Sequence, residues 1–458
     1  MKNFSPFYAF TWAFVRPAIH IFYKKIEINN PQNFPEKGAV FICSNHVNAF
    51  MDPVSVQLNS RRQIFSLARG DAFKKPVMNW LLTQWKVIPI YRLSEGAENL
   101  KKNDYSFSTS KEVLMNGNAL VIYPEAICVQ ERRLRKLKKG AARIAFAVEE
   151  ETGFRSNMVV LPIGLNYSSP KKFRSKLLMN FGTPISLLKY KELYQQDKAK
   201  AMNAFTADLE KAMRSLVLNI EHKENDVLVE DLLEIFSPVL LARHKLSRFD
   251  LVQKFKADDE VIKTINYLQH AEPALVETIR QGVSKYTSVL NKYGLRDYLL
   301  TEQELQKTTA GKIVFDLIIS IIASPIFFVG CITNCVPYKM AYCAANKLAK
   351  EVEFHASINM TVGWLSWITY FLIQLLIVAL TFHNWSIVAL FAILIPATGF
   401  FALNFYDWIK KSGGRRRVFD LRRKNNPEFT ELIQLGKNVQ AELKRGRAKY
   451  LESLQVMA

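Results

Sequence analysis

The stretch Ala39-Val40-Phe41-Ile42-Cys43-Ser44-Asn45-His46-Val47-Asn48-Ala49-Phe50-Met51-Asp52-Pro53 opens as an unbroken apolar run and closes as a polar turn. Apolar residues without alternation read as a strand buried on both faces, the pattern of a parallel sheet. The residues that follow such a strand sit at its carboxyl end, where α/β sheets place their ligands. A histidine there can serve as a general base near neutral pH. An aspartate close by can bond the far ring nitrogen, which fixes the tautomer and stabilises the imidazolium that forms. In isolation, a His46 and an Asp52 that merely cap a turn would be the commoner meaning. The flanking segments reverse that preference.

Three further strands are predicted at Val87–Ile90, Ala119–Tyr123 and Val159–Leu165, with helical stretches between them such as Ala141–Glu151. Leu177–Ile185, ending in Gly182-Thr183-Pro184, is expected to add an edge strand. Strands alternating with helices imply an α/β domain with a mainly parallel sheet covered on both faces. Arg92 follows the second strand, and its planar fork suits paired bonds to phosphate oxygens. Glu125 closes the third strand in Tyr123-Pro124-Glu125. The basic run Arg132, Arg133, Arg135, Lys138 and Lys139 follows, then Gly140. Such a run is either a solvated surface or a phosphate cradle in which Gly140 lets the backbone approach the ligand. Cys128 has no histidine near it in sequence and is not expected to be a nucleophile.

These blocks, in this order over about residues 38–185, resemble the signature of the PlsC-like glycerolphosphate and lysophosphatidic acid acyltransferases. Asn45-His46 through Asp52 resembles the first block. Most members have four residues between the histidine and the aspartate; here there are five. The longer spacing resembles the branch of the fungal glycerol-3-phosphate/dihydroxyacetone-phosphate acyltransferases. Ile88-Pro89-Ile90-Tyr91-Arg92 is similar to the second block, Tyr123-Pro124-Glu125 to the third and Val160-Leu161-Pro162-Ile163-Gly164 to the fourth. The third block departs from the family, because Ala126, Ile127 and Cys128 stand where a glycine and hydroxyl residues are usual. The resemblance implies transfer of a fatty acyl group from acyl-CoA or acyl-carrier protein to glycerol 3-phosphate or 1-acylglycerol 3-phosphate. It implies His46 and Asp52 as the catalytic pair, and Asn45, Arg92, Glu125, Arg133, Arg135, Lys139 and Gly140 at the substrates. No metal and no cofactor beyond the acyl thioester co-substrate is expected. The alternative is a catalytically decayed acyltransferase fold serving as a membrane scaffold.

The 458 residues exceed one compact domain, and the formal charge of +21 calls for an anionic partner. No zinc-finger spacing or RNP-type aromatic motif points to nucleic acid, and long apolar runs point to anionic membrane lipid. Five irregularly spaced cysteines support no disulfide framework, and no cleavable signal is expected at the start. The expected organisation is an aromatic interfacial anchor (1–30), interrupted at Pro17, with a helix packed on the catalytic domain as its alternative. Then come the acyltransferase domain (31–190), a helical accessory region (191–311) with helix ends near Pro238 and Pro273, and a membrane region (312–408). Within the last, residues 313–337 are expected to be a re-entrant pair broken near Pro325, and 360–408 a hairpin turning at His383-Asn384. A basic cytoplasmic tail (409–458) closes the chain. Basic residues flank every apolar run except at that turn, which places the catalytic domain in the cytoplasm. The bacterial inner membrane is favoured over the endoplasmic reticulum.

Overall fold

The computed structural model describes residues 5–60, 62–91, 100–243, 246–247 and 249–457. The chain divides into two compact units, residues 1–219 with 343–361, and residues 220–342 with 362–458.

In the first unit, strands β1 (Lys25–Asn29), β2 (Val40–Ser44), β3 (Ile64–Arg69), β4 (Val87–Ile90), β5 (Ala119–Ile122), β6 (Val159–Tyr167), β7 (Lys176–Phe181) and β8 (Ile185–Ser186) form one sheet. Its order is β1-β7-β6-β2-β5-β3-β4, with β8 against β6. β2 lies between β5 and β6 and is parallel to both. β3 is parallel to β4 and β5, and only β7 and β8 run against β6. The carboxyl ends of β2, β5 and β6 therefore lie on one edge. Side chains alternate along β2, with Phe41 and Cys43 in one core and Val40 and Ile42 in the other, as period-two geometry dictates.

Among the described residues, seven helices accompany the sheet: α1 (Pro6–Phe22), α2 (Met51–Leu58), α3 (Pro76–Gln84), α4 (Leu100–Met115), α5 (Gly140–Glu151), α6 (Lys191–Gln196) and α7 (Lys198–Arg214). Several expectations need correction here. α1 runs unbroken through Pro17 and packs Ile19 and Phe22 into the core beneath β2, while Phe10 stays exposed. The described part of that segment, residues 5–30, is thus packed in the domain, as the alternative has it, and β1 within it is a strand of the sheet. The strand expected at Leu177–Ile185 is split into β7 and β8, and β1, not β7, forms the edge. The domain does not stop at residue 190. α7 places Ala201, Phe205, Leu209 and Met213 at helical spacing into the same core as Phe41, and each large side chain so buried contributes about 1.5–3 kcal/mol.

The second unit is helical: α8 (Asp226–Ile235), α9 (Ser237–Arg243), α10 (Leu251–Ala271), α11 (Pro273–Lys292), α12 (Glu302–Lys307), α13 (Ala310–Leu348), α14 (His355–Phe382), α15 (Trp385–Arg423) and α16 (Pro427–Met457), with α13 and α14 each extending across the boundary. Pro238 and Pro273 stand in the first turns of α9 and α11, where a missing N–H costs nothing. The described part of the basic tail is helical and packed. α16 buries Phe429, Leu432, Val439 and Leu443, and Gly436 meets the Tyr286 ring of α11.

Among the described residues, three helices are long and apolar enough to cross a membrane, at residues 310–348, 352–382 and 385–423. The hairpin turns at His383, which has a φ of 50°. Residues 313–337, expected as a pair of helices, belong to one helix of 39 residues that continues past Pro325 and Pro337. A proline deletes one backbone hydrogen bond, and a helix can absorb that loss without ending. The middle of α13 touches both arms of the hairpin. Asn334 accepts from Trp367 Nε1 at 2.9 Å and donates to the Ile395 carbonyl at 3.2 Å. A Cβ added to Gly330 would stand 2.2 Å from the Thr398 carbonyl, so the approach to α15 requires glycine. Asp316 near the start of α13 pairs with Arg415 of α15 at 3.0 Å, and Ala341 lies against Gly363 of α14. Both ends of α13 therefore lie toward the open end of the hairpin and its middle toward the tip.

Candidate active site

His46 follows β2 by two residues, and Asp52 stands in the first turn of α2, where the helix dipole favours a carboxylate. The five-residue loop between them closes with Ala49 at a φ of 31°. His46 Nδ1 lies 2.7 Å from Asp52 Oδ2, which also accepts the Val47 and Asn48 backbone N–H groups, both at 2.8 Å. Asp52 Oδ1 accepts the Tyr167 hydroxyl at 2.7 Å. The buried carboxylate is thus fully engaged, and it holds the histidine with Nδ1 protonated. Nε2 has no hydrogen-bond partner among the described residues, and the His46 side chain is 20% exposed. A lone pair is left facing the carboxyl edge of the sheet.

Two tyrosines complete the setting. Tyr123, at the end of β5, stacks on the imidazole with ring centres 4.1 Å apart. Burial first, and then the charge of Asp52, push the Tyr167 and Tyr123 phenols well above their ordinary range. Tyr167 therefore remains a hydrogen-bond donor at any working pH. The strand expected to end at Leu165 runs on to Tyr167. The alternation Leu165-Asn166-Tyr167 was the available signal, since Tyr167 shares the inward parity of Leu165 and Ile163.

The sequence-predicted residues divide into those with a bracing task and those that face solvent. Asn45 does not present its amide to a ligand. It donates to the Leu165 carbonyl at 3.0 Å and accepts the Leu165 N–H at 2.7 Å, tying the turn to β6. Glu125 is buried, and its two oxygens accept the His46 N–H at 3.0 Å and the Arg135 N–H at 2.9 Å. It braces the base loop against the basic loop, and burial pushes its carboxyl up against the pull of those bonds. The Val129 N–H also bonds the His46 carbonyl at 3.1 Å. Arg135 and Arg133 both approach Glu131, at 2.9 and 3.7 Å. Lys139 is exposed and has no ion pair among the described residues. Gly140 opens α5, and a Cβ built there would meet no neighbouring element within 4 Å, so packing does not require a glycine. Arg92 lies outside the described residues.

Ala126 holds a φ of 59°, the left-handed conformation natural to glycine. Ala126 stands where the third block usually has a glycine, at a backbone angle that a glycine adopts without strain. Cys128 accepts the Ala49 N–H at 3.1 Å, and burial pushes its thiol far up, so it is no nucleophile. His46, Asp52 and Cys128 bring ligand atoms within 4.8 Å of one another. The donors already saturating Asp52 and the protonated thiol oppose a metal there.

This geometry defines a buried aspartate holding a partly exposed histidine at the carboxyl edge of a mainly parallel sheet. Residues 25–166 match the model of the acyltransferase family. Glycerol-3-phosphate O-acyltransferase 1 of Saccharomyces cerevisiae is 21% identical over 373 residues, covering 62% of this chain and 48% of the relative. The chloroplastic 1-acyl-sn-glycerol-3-phosphate acyltransferase LPAT1 of Arabidopsis thaliana is 29% identical over 168 residues, covering 36% of this chain and 41% of the relative. The chain thus spans about half the length, or less, of these relatives. The crystal structure of the 1-acyl-sn-glycerophosphate acyltransferase PlsC of Thermotoga maritima aligns with 46% of this chain and 78% of that one, at 15% identity and a TM-score of 0.34. The family match lies within less than half of the chain, on the segment that carries strands β1 to β5, most of β6 and the His46–Asp52 pair.

Proposed function

We propose that the protein transfers a fatty acyl group from acyl-CoA or acyl-carrier protein to the hydroxyl of a glycerol-phosphate acceptor. The observation that carries this reading is the His46–Asp52 contact with Nε2 left open at the sheet edge. Nε2 takes the proton of the acceptor hydroxyl as its oxygen attacks the thioester carbonyl. The tetrahedral intermediate then expels the thiolate, which recovers the proton from the imidazolium. Asp52 stabilises that imidazolium, and Tyr167 and the two loop N–H groups hold Asp52 in place. Thioesters are already activated, so placement of the reactants supplies most of the rate. Lys139 and the start of α5 offer charge and backbone N–H groups to the acceptor phosphate, with Arg92 as a further candidate by its motif. Glycerol 3-phosphate is the first acceptor to test, on the five-residue spacing and the name of the yeast relative. 1-Acylglycerol 3-phosphate is its rival. Glu125, buried and bonded to both the His46 loop and the basic loop, speaks against the decayed-scaffold alternative.

We further propose that the hairpin α14–α15 crosses the membrane from the cytoplasm and back, with anionic lipid at its basic flanks. On this reading α13 enters and leaves on one side, supported by the placement of both its ends at the hairpin's open end. The catalytic unit would then face the cytoplasm. The activity is tested with the purified full chain, both donors and both acceptors. His46→Ala should lower turnover by about 10²–10⁴-fold, and near wild-type turnover would overturn the mechanism.

A further inference from the structure

Far in sequence from the His–Asp pair, the second unit carries another cluster of metal-ligating side chains. His222 Nε2 lies 3.3 Å from His270 Nε2, with the rings at 64°. Glu221 Oε2 lies 3.9 Å from the same His270 nitrogen. The three ligand atoms fall within 4.8 Å of one another. We propose that Glu221, His222 and His270 form a zinc-class divalent metal site that pins the segment entering the second unit to the end of α10.

The argument begins with the two nitrogens. Two neutral imidazoles facing through Nε2 can share only one proton, whereas a metal uses both lone pairs. Zinc–nitrogen bonds of about 2.0–2.1 Å at a tetrahedral angle separate two ligand nitrogens by about 3.3 Å, which is the separation observed. Glu221 has 48% of its side chain exposed, so a rotamer change closes the remaining gap. His270 belongs to the last turn of α10, where the free carbonyls favour a positive charge. The frame exists without the metal. The Glu221 N–H bonds Asn266 Oδ1 at 3.2 Å, Asn225 donates to Gln269 at 3.1 Å, and Arg280 donates to Asn225 Oδ1 at 2.7 Å. The backbone that carries the ligands is so braced, and only side-chain rotamers are left to be fixed on binding. Two imidazoles and a carboxylate leave the fourth tetrahedral position to solvent.

The test uses the full chain in detergent, stripped with a chelator. Zn²⁺ is titrated by calorimetry, and Co²⁺ by its visible ligand-field absorption. One site is expected, without the thiolate charge-transfer band that Cys128 would give. His270→Ala and His222→Ala should each weaken binding by more than the roughly 10–100-fold that loss of an outer-shell partner costs. Glu221→Gln should weaken it less. The wild-type Tm should keep rising with the logarithm of Zn²⁺ concentration above saturation, and the His variants should stay at the Tm of the metal-free wild type. His270→Gln serves if the alanine variant fails to fold. Equal affinity in wild type and His270 variants, no binding below millimolar Zn²⁺, or a thiolate band abolished by Cys128→Ala would each overturn the proposal.

Discussion

Replacing Tyr167 by phenylalanine removes one oxygen and leaves the ring, which packs in the core beneath β2, in place. The lost hydroxyl is the donor to Asp52 Oδ1 at 2.7 Å, and the carboxylate is fully buried. A hydrogen bond to a charged group is worth about 1.5–3 kcal/mol. No water can replace it at a buried oxygen, so the folded state should lose about that much. If Asp52 then holds the imidazolium less well, the same energy appears in the transition state. At about 1.4 kcal/mol per factor of ten, kcat should fall roughly 10- to 150-fold. KM for the acceptor should change little, because Tyr167 acts through Asp52 and touches no phosphate ligand. Steady-state kinetics with glycerol 3-phosphate and acyl-CoA, with Tm in detergent alongside, measure both effects. Wild-type kcat in Tyr167→Phe, in a protein that Asp52→Asn inactivates, would refute the positioning role.

Three other outcomes are expected. Asp297 is buried beneath the Tyr286 hydroxyl at 2.7 Å, and burial raises its carboxyl to about 6. The native state then binds the proton more tightly than the unfolded chain, so its contribution is present below about pH 4 and is lost as pH rises to about 6, a change of about 3 kcal/mol. Asp297→Asn keeps an oxygen for Tyr286, and its Tm relative to wild type should climb across that window; a constant difference would count against the assignment. Ala126→Gly relieves a left-handed alanine and should raise stability by up to about 1 kcal/mol with activity kept; a lower Tm would show that the strain is absent. In a background without the native cysteines, single cysteines at Lys347 and Ala458 should both resist an impermeant label in intact cells. Labelling of both would require three full crossings.

The parts legible in the sequence were those set by local pattern. Val40–Cys43 and Ala119–Ile122 are apolar on both faces, and only a covered parallel strand accepts that. His46 and Asp52 could be paired because their loop is short. β1 was missed because Lys25-Ile26-Glu27-Ile28-Asn29 alternates as an edge strand does and sits next to an aromatic helix that drew the reading toward a membrane anchor. Asn45 looked like a ligand residue, yet its partner Leu165 is 120 positions away, and nothing local encodes that bond. The boundary at residue 190 failed for the same reason, since the core that receives Phe205 is built from strands far upstream. At Pro325 a local rule was overruled, because α13 tolerates the missing N–H.

The strand order has a consequence for how the molecule is made. β2 pairs with β5 and β6, never with a neighbour in sequence, so its partners emerge from the ribosome long after it does. Tyr167 follows Asp52 by 115 residues, an interval of about 6–23 s at 5–20 residues per second. For the first part of it β2 has no mate, β5 then supplies one, and until Tyr167 arrives the Asp52 carboxylate lacks its buried donor. Long-range parallel pairing is slow to form and leaves apolar edges open meanwhile. Nascent-chain protection of residues 39–58 is therefore due only once β6 has been synthesised, and the loop of His46 and Asp52 is translated well before it acquires its final shape.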